Sequence, residues 1–243
     1  FADHIKGMGY YYQSDWHFID QPYLDEPGTT LDDFNFTPAD VDVVDALTDL
    51  TGYMKGEVTA ADSTYISQIV DSFPAEADQR SFVLRLLIHY VGDVHQPEHA
   101  TSLIDSKFPE GDRGGNSEHF DSVSGVDNLH GVWDSVIFEW TGKNRPPLND
   151  YEWTNYTDIV TGLASKYPVD QTKLKDQDFN AWAAESLELA KDYVYAGFSD
   201  GEQPSQEYKD AATPICEERL MYAGARLATL LVDLYGEKTA VIK

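Results

Sequence analysis

Apolar positions along the chain recur mainly with a helical period. Val41, Val43, Val44, Leu47, Leu50 and Met54 form a stripe that predicts a helix over about 38–56. A second helix is predicted over about 75–95. There Phe82, Leu86, His89 and Asp93 follow at spacings of three or four, and Pro97 stops the run. Leu129, Val132, Trp133, Val136 and Ile137 predict a third, beginning near Asp127. Further helices are predicted over about 151–165, 178–196 and 205–235, the last with Leu220, Gly224, Leu227, Leu230 and Leu231 on one side. Gly, Pro, Asp and Asn gather at 21–30, 108–116 and 141–149, which read as loops. No strand pair longer than a few residues, no repeat and no linker stands out. The pattern predicts one all-α domain over residues 1–243.

Composition narrows the class. Apolar residues make up 42% and charged residues 25%, as in an ordinary globular protein, which excludes collagen, coiled coil and disorder. No window approaches the ~18 consecutive apolar residues of a membrane span. The stretch from Phe82 to Val94 is broken by Arg85, His89 and Asp93. Charge is more unusual. Seventeen Lys and Arg against 43 Asp and Glu leave a net charge of −26. Such a surface repels nucleic acid and anionic lipid at long range, which excludes a basic-groove binder. It still allows an enzyme that grips phosphate locally through cations.

Cys216 is the single cysteine, so no disulfide forms within the chain. Two N-glycosylation sequons, at Asn35 and Asn155, lean towards a secreted or lumenal protein. The start at Phe1, with neither an initiator Met nor a helix-capping residue, reads as a chain missing an N-terminal segment.

The histidines carry the chemistry. His89 and Asp93 stand at i and i+4 on a predicted helix, and His130 and Asp134 repeat that spacing on another. Residues so spaced share one helical face, where both can bind one metal. Apolar neighbours make an uncompensated carboxylate costly, and a metal compensates it. One such pair is ordinarily a surface or capping pair; two are harder to dismiss. His99, His17 and Asp3 enlarge the set to nitrogen and carboxylate donors without sulfur, which suits Zn²⁺. Two metals ~3.5–4 Å apart suit phosphate-ester hydrolysis.

Five ordered segments strengthen this: Ala2-Asp3-His4-Ile5-Lys6, Trp16-His17-Phe18-Ile19-Asp20, the run from His89 to His99, Gly114-Gly115-Asn116, and the run from Asn128 to Asp134. Together they resemble the zinc-dependent single-strand nucleases of fungi and plants. These class I nucleases, or 3′-nucleotidase/nucleases, share a superfamily with bacterial zinc-dependent phospholipase C. The resemblance runs from Phe1 through at least Asp134. It implies a mostly helical domain with a trinuclear zinc cleft. Asp3, His17, His89 and Asp93 would hold one zinc, with Asp93 bridging towards the third, and His99, His130 and Asp134 would hold the second. The family's third zinc also uses a histidine and the amino and carbonyl groups of an N-terminal tryptophan. Neither residue is present here, so those ligands would come from a separate N-terminal segment.

The implied activity is hydrolysis of single-stranded DNA and RNA between the 3′-oxygen and phosphorus, leaving 5′-nucleotides, with 3′-nucleotidase activity at the same site. Asp3 would orient or deprotonate the attacking water, and Lys6 would place a positive charge near the phosphate. Phe18 would stack on a base and Asp20 would bond the base edge. Gly114 and Asn116 complete that pocket, with Arg113 stacking on the other face. His95 reads as a packing histidine. Two other readings stay open: a phospholipase C-like lipid phosphodiesterase, and a metal-binding relative without activity. Asp134, where bacterial phospholipase C has glutamate, and the residues Phe18, Asp20 and Asn116 favour nucleotides over lipid.

Overall fold

The computed structural model describes residues 1–140, 147–199 and 201–236. Part of the predicted 141–149 loop lies outside them. Eight α-helices carry the described fold: α1 (Ala2–Ile5), α2 (Val43–Lys55), α3 (Thr64–Ser72), α4 (Glu76–Asp93), α5 (Leu129–Asp134), α6 (Asp150–Lys166), α7 (Phe179–Leu189) and α8 (Gln206–Tyr235). The strands are short. β1 (Pro22–Leu24) pairs in parallel with β2 (Ser102–Ile104), and β3 (His119–Val123) pairs antiparallel with β4 (Val126–Asn128).

Local chemistry sets the helix ends. Asp42 accepts from the backbone N–H groups of Val44 and Asp45 and starts α2; Gly56, at φ 77°, ends it. Ser63 caps α3, a helix the apolar pattern did not single out, although Tyr65, Ile66 and Ile69 form its buried stripe. Asn128 caps α5 through Gly131.

Two apolar clusters support the site. One joins Val43, Leu47 and Leu50 of α2 to Val83, Leu86, Leu87 and Tyr90 of α4, with Trp182 of α7 and Leu230 of α8. The other joins Leu129, Val132 and Trp133 of α5 to Ala190 and Val194 and to Tyr208, Ala212 and Cys216 of α8. α8 spans both clusters and so couples the helices that bear the two His-x-x-x-Asp pairs.

The third predicted helix is shorter than its apolar pattern suggests. α5 ends at Asp134, and Val136, Ile137 and Phe138 turn left-handed, at φ 52°, 52° and 67°. Left-handed geometry costs ~1–2 kcal/mol per residue for such side chains. Burial of Ile137 in the second cluster offsets part of it. The helix expected over 178–196 is α7 followed by a wider, π-helical turn at Ala190–Val194.

Candidate metal centre

The ligand residues lie in two groups. His89 and Asp93 occupy the last turns of α4, whose C-terminal dipole favours a cation. A 3₁₀ segment, Tyr11–His17, brings in His17, and α1 brings in Asp3. His17 Nδ1 lies 3.0 Å from Asp93 Oδ2 and 3.6 Å from Asp3 Oδ1. His89 Nε2 lies 3.2 Å from Asp3 Oδ2 and 3.4 Å from Asp93 Oδ2. In the second group, Asp134 Oδ1 lies 3.5 Å from His99 Nε2 and Asp134 Oδ2 lies 3.3 Å from His130 Nε2. Ligands about 2.0–2.1 Å from a tetrahedral ion stand about 3.3–3.4 Å from one another. Both groups match that separation.

Hydrogen bonds fix three of the ring orientations. His99 Nδ1 donates to the His17 carbonyl at 2.8 Å, and His130 Nδ1 donates to the Gly114 carbonyl at 2.7 Å. His17 Nε2 donates to Gln13 Oε1 at 2.8 Å. That oxygen is the acceptor end of the amide, because Gln13 Nε2 donates to the Ala2 carbonyl and Tyr90 donates to Oε1. With those nitrogens committed, the remaining ring nitrogen of each histidine faces carboxylate oxygens. A divalent cation between them satisfies both sides, so the donor set fits a metal.

Without a cation, protons take its place: burial works to lower His99, but its hydrogen bond to Asp134 and the charges of Asp93 and Asp134 outweigh it and raise the ring to about 9. Asp3 is held well below the ordinary carboxylate range, chiefly by its hydrogen bond to His89. Burial works to raise Asp134, but hydrogen bonds to His130 and His99 outweigh it and hold that carboxyl well below its usual range. Asp134 is less enclosed than its apolar sequence neighbours suggested: its side chain is 50% exposed, where that of Asp93 is 13%. Lys6 lies 3.4 Å from Asp3. Among the described residues, groups of three or more mutually close potential ligands occur at Asp3, His17 and His89 and at His99, His130 and Asp134. Asp93 joins the first through His17 and His89.

Phe18, Asp20, Arg113 and Asn116 line one cavity of about 180 Å³, which also touches His130. Gly114 is not in its wall; its carbonyl orients His130 instead. The buried Asp112 carboxylate organises this loop, accepting from the N–H groups of Leu103, Gly114 and Gly115 and from the Tyr195 hydroxyl. A Cβ at Gly114 would strike the Glu98 carbonyl, and one at Gly115 the Glu98 carboxylate. Burial, with Asp112 and Asp15 nearby, pushes Asp20 up to about 6 against the opposing Arg113. His95 is a packing residue as expected: Nδ1 donates to the Val91 carbonyl and Nε2 accepts from Arg226.

Several contributors were given no role by the motifs. Phe36 and Glu110 also wall the Phe18 cavity. Gln96 donates to Asp134 Oδ1 at 3.0 Å. Glu98 is fully enclosed, with both carboxylate oxygens unpartnered, and burial drives its pKa well upward. Gln13 carried a faint signal, four residues before His17.

A mostly helical protein with two histidine–carboxylate groups beside an aromatic-lined cavity is a metal-site protein of the nuclease–phospholipase type. The S1/P1 nuclease family model matches residues 1–236, and the chain belongs to that family. It is 32% identical to Endonuclease 5 of Arabidopsis thaliana over 165 residues, which cover 64% of this chain and 51% of the plant protein. It is 26% identical to Nuclease S1 of Aspergillus oryzae over 168 residues, 61% of this chain and 52% of that protein. Phospholipase C of Bacillus cereus is 25% identical over 163 residues, 66% and 49% of the two chains. The matches thus span about half the length of these relatives. Among the described residues no helix is long and apolar enough to cross a membrane.

Proposed function

We propose that the chain is a zinc-dependent endonuclease that hydrolyses single-stranded DNA and RNA to 5′-nucleotides and also removes phosphate from 3′-nucleotides. The observation that carries this reading is the position of His130. It belongs to one histidine–carboxylate group and also lines the cavity that holds Phe18, Asp20 and Asn116.

Asp3, His17, His89 and Asp93 would hold one zinc and His99, His130 and Asp134 another. Bound zinc supplies Lewis acidity and lowers the pKa of water to about 7. The protein does the rest. Asp3, its side chain 66% exposed, faces solvent and orients the attacking water as a hydrogen-bond acceptor. Its depressed pKa makes it a weak base. Lys6 sets a positive charge beside the phosphate. The water oxygen bonds to phosphorus, the bond from phosphorus to the 3′-oxygen breaks, and that oxygen takes up a proton. Phe18 stacks on the base, Asp20 and Asn116 meet its edge, and Arg113 covers the other face. A base so held has left its helix, which gives preference for single strands.

We also read the protein as secreted and glycosylated. Asn35 is exposed, and Asn155 lies on α6. Digestion with an N-glycosidase would lower the mass of the secreted protein. The deciding assay loads the protein with zinc and offers single-stranded DNA, duplex DNA and phosphatidylcholine. Acid-soluble nucleotides from the single strand support the nuclease. Phosphocholine release without nucleotides would favour the lipid reading, and zinc uptake without hydrolysis would favour a non-catalytic relative.

A further inference from the structure

We propose that a second cavity, beside Asp93, His99 and Asp134, is a nucleoside subsite, so that the substrate is held on both sides of the scissile phosphate. The inference rests on the nuclease reading of the metal centre and names how that centre engages a chain.

The His99–His130–Asp134 group stands in the wall between two cavities. His130 faces the Phe18 cavity, while His99 and Asp134 face the other. The two have nearly equal capacity, about 180 and about 190 Å³, so they suit occupants of similar size. The second is lined mainly by apolar groups: Pro97, Trp133, Val136, Cys216, Leu220 and Ala223.

Its lining cation is Arg219, which is already committed. Arg219 is 6% exposed and donates to Glu185 at 2.9 Å, to the His95 carbonyl at 3.0 Å and to Ser186 at 2.8 Å. Gln96 is committed too, donating to Asp134 and accepting from the Glu98 N–H at 2.6 Å. The cavity therefore offers little to a second phosphate and little that reads a base edge. It suits the uncharged sugar and base of a neighbouring nucleotide, bound through apolar contact and without sequence preference.

The chemistry sets the direction. In an in-line displacement the attacking water lies opposite the leaving 3′-oxygen, and the 5′-oxygen is a bystander that points to the side. The two nucleosides of a phosphodiester held at the metal group therefore diverge from phosphorus, and each has a cavity beside that group to enter. Two adjacent bases on opposite sides of that wall are unstacked from each other, which a duplex resists. The second subsite therefore adds to single-strand preference and favours an internal linkage over a terminal 3′-phosphate.

Two variants test this: Leu220→Glu at the rim, where the residue is 42% exposed, and Ala223→Trp, which fills the cavity. The readout is the ratio of kcat/KM for the dinucleotide TpT to that for 3′-thymidylate, at matched zinc content. We expect both variants to lower the ratio roughly tenfold, within the range of one lost base contact. An unchanged ratio in both overturns the subsite. So does a higher rate on short-chain phosphatidylcholine than on TpT that falls in the same variants, which assigns the cavity to lipid. Equilibrium binding of a methylphosphonate-linked dithymidine, compared with thymidine, should weaken in parallel. That arm needs no hydrolysis. If the zinc-loaded parent cleaves neither substrate, the nuclease reading fails, while the binding arm still decides whether the cavity takes a nucleoside.

Discussion

Gln13 and His17 are locked together: His17 Nε2 donates to Gln13 Oε1 at 2.8 Å, and Gln13 is itself held by the Ala2 carbonyl and the Tyr90 hydroxyl. The amide thereby decides which imidazole nitrogen faces Asp3 and Asp93. Gln13→Ala frees the ring to rotate and to change tautomer. Loss of such an orienting partner typically costs ~10–100-fold in metal affinity. Zinc competition with a chromophoric chelator should show that loss, with the helical circular dichroism retained. An unchanged affinity would mean that the carboxylates alone orient His17.

Acid stability depends on a buried ion cluster behind the site. Glu185 accepts from Arg219 and twice from Arg226, at 2.7–2.9 Å. Burial works to raise its pKa, but the two guanidiniums outweigh it and lower it to about 2. A depressed folded-state pKa means stability that is complete above the unfolded value, near 4.5, and lost as pH falls towards about 2. Glu185→Gln should be less stable than the parent at pH 7 by about 1–3 kcal/mol, with the gap closing between pH 4.5 and 2. Urea unfolding with chelator present isolates this effect from metal loss. A gap that stays constant with pH would contradict it.

How much of this could be read from the sequence follows from where the partners lie. His89 with Asp93 and His130 with Asp134 were legible because each pair is one helical turn apart, so spacing alone brings them together. Asp3 and His17 enter the donor set by residue type, but their grouping with His89 and Asp93 needed the resemblance, since a turn of 3₁₀ structure and the packing of α1 bring them in. α3 escaped although Ser63 caps it and Tyr65, Ile66 and Ile69 form its buried face; nine residues give a short periodic signal. The end of α5 was not legible, because nothing local in Val136, Ile137 and Phe138 favours left-handed backbone. Tertiary burial of Ile137 decides it. The Glu98 carboxylate, packed against Gly115, and the Arg219 network depend on long-range contacts with no local pattern.

Asp20 has the opposite linkage to Glu185. Burial and its acidic neighbours lift it to about 6, so the folded protein binds a proton there that the unfolded chain has released. Stability from this group is present below about pH 4 and falls as pH rises to about 6. Asp20→Asn removes the buried charge. It should be more stable than the parent at pH 7.5 by about 1–2 kcal/mol, after allowance for solvent screening, and by much less at pH 4.5. Thermal melts of both proteins at the two pH values, with chelator, measure the difference of differences. A gain independent of pH would show that Asp20 is not charged at neutral pH.

The acidic surface sets the salt dependence of substrate binding. With a net charge of −26, few Lys or Arg residues are available to displace counterions from a nucleic acid. The slope of log K against log salt should correspond to about one or two phosphates, where basic-groove binders involve about six to ten. Titration of a non-hydrolysable oligonucleotide over a range of salt measures it. A steep slope would require a basic tract outside the metal centre.

Phe18 separates a base-reading site from a plain phosphodiesterase. It directly follows His17 and shares a cavity with Asp20 and Asn116. If its ring stacks on a base, Phe18→Ala removes about 1–3 kcal/mol of binding, or roughly 5- to 150-fold, and the loss should fall mainly on KM for a single-stranded oligonucleotide. Zinc content should stay normal, because Phe18 has no donor atom. Bis(p-nitrophenyl) phosphate carries a phosphodiester but no base, and its hydrolysis should change little. Asp20→Asn, measured on the same substrates, should alter the preference among bases more than the rate, because it changes the edge contact and leaves the metal ligands in place. Equal losses on the oligonucleotide and the base-free ester would make Phe18 a packing residue. Specificity would then have to come from the metal centre alone, where a lipid phosphodiester competes on equal terms.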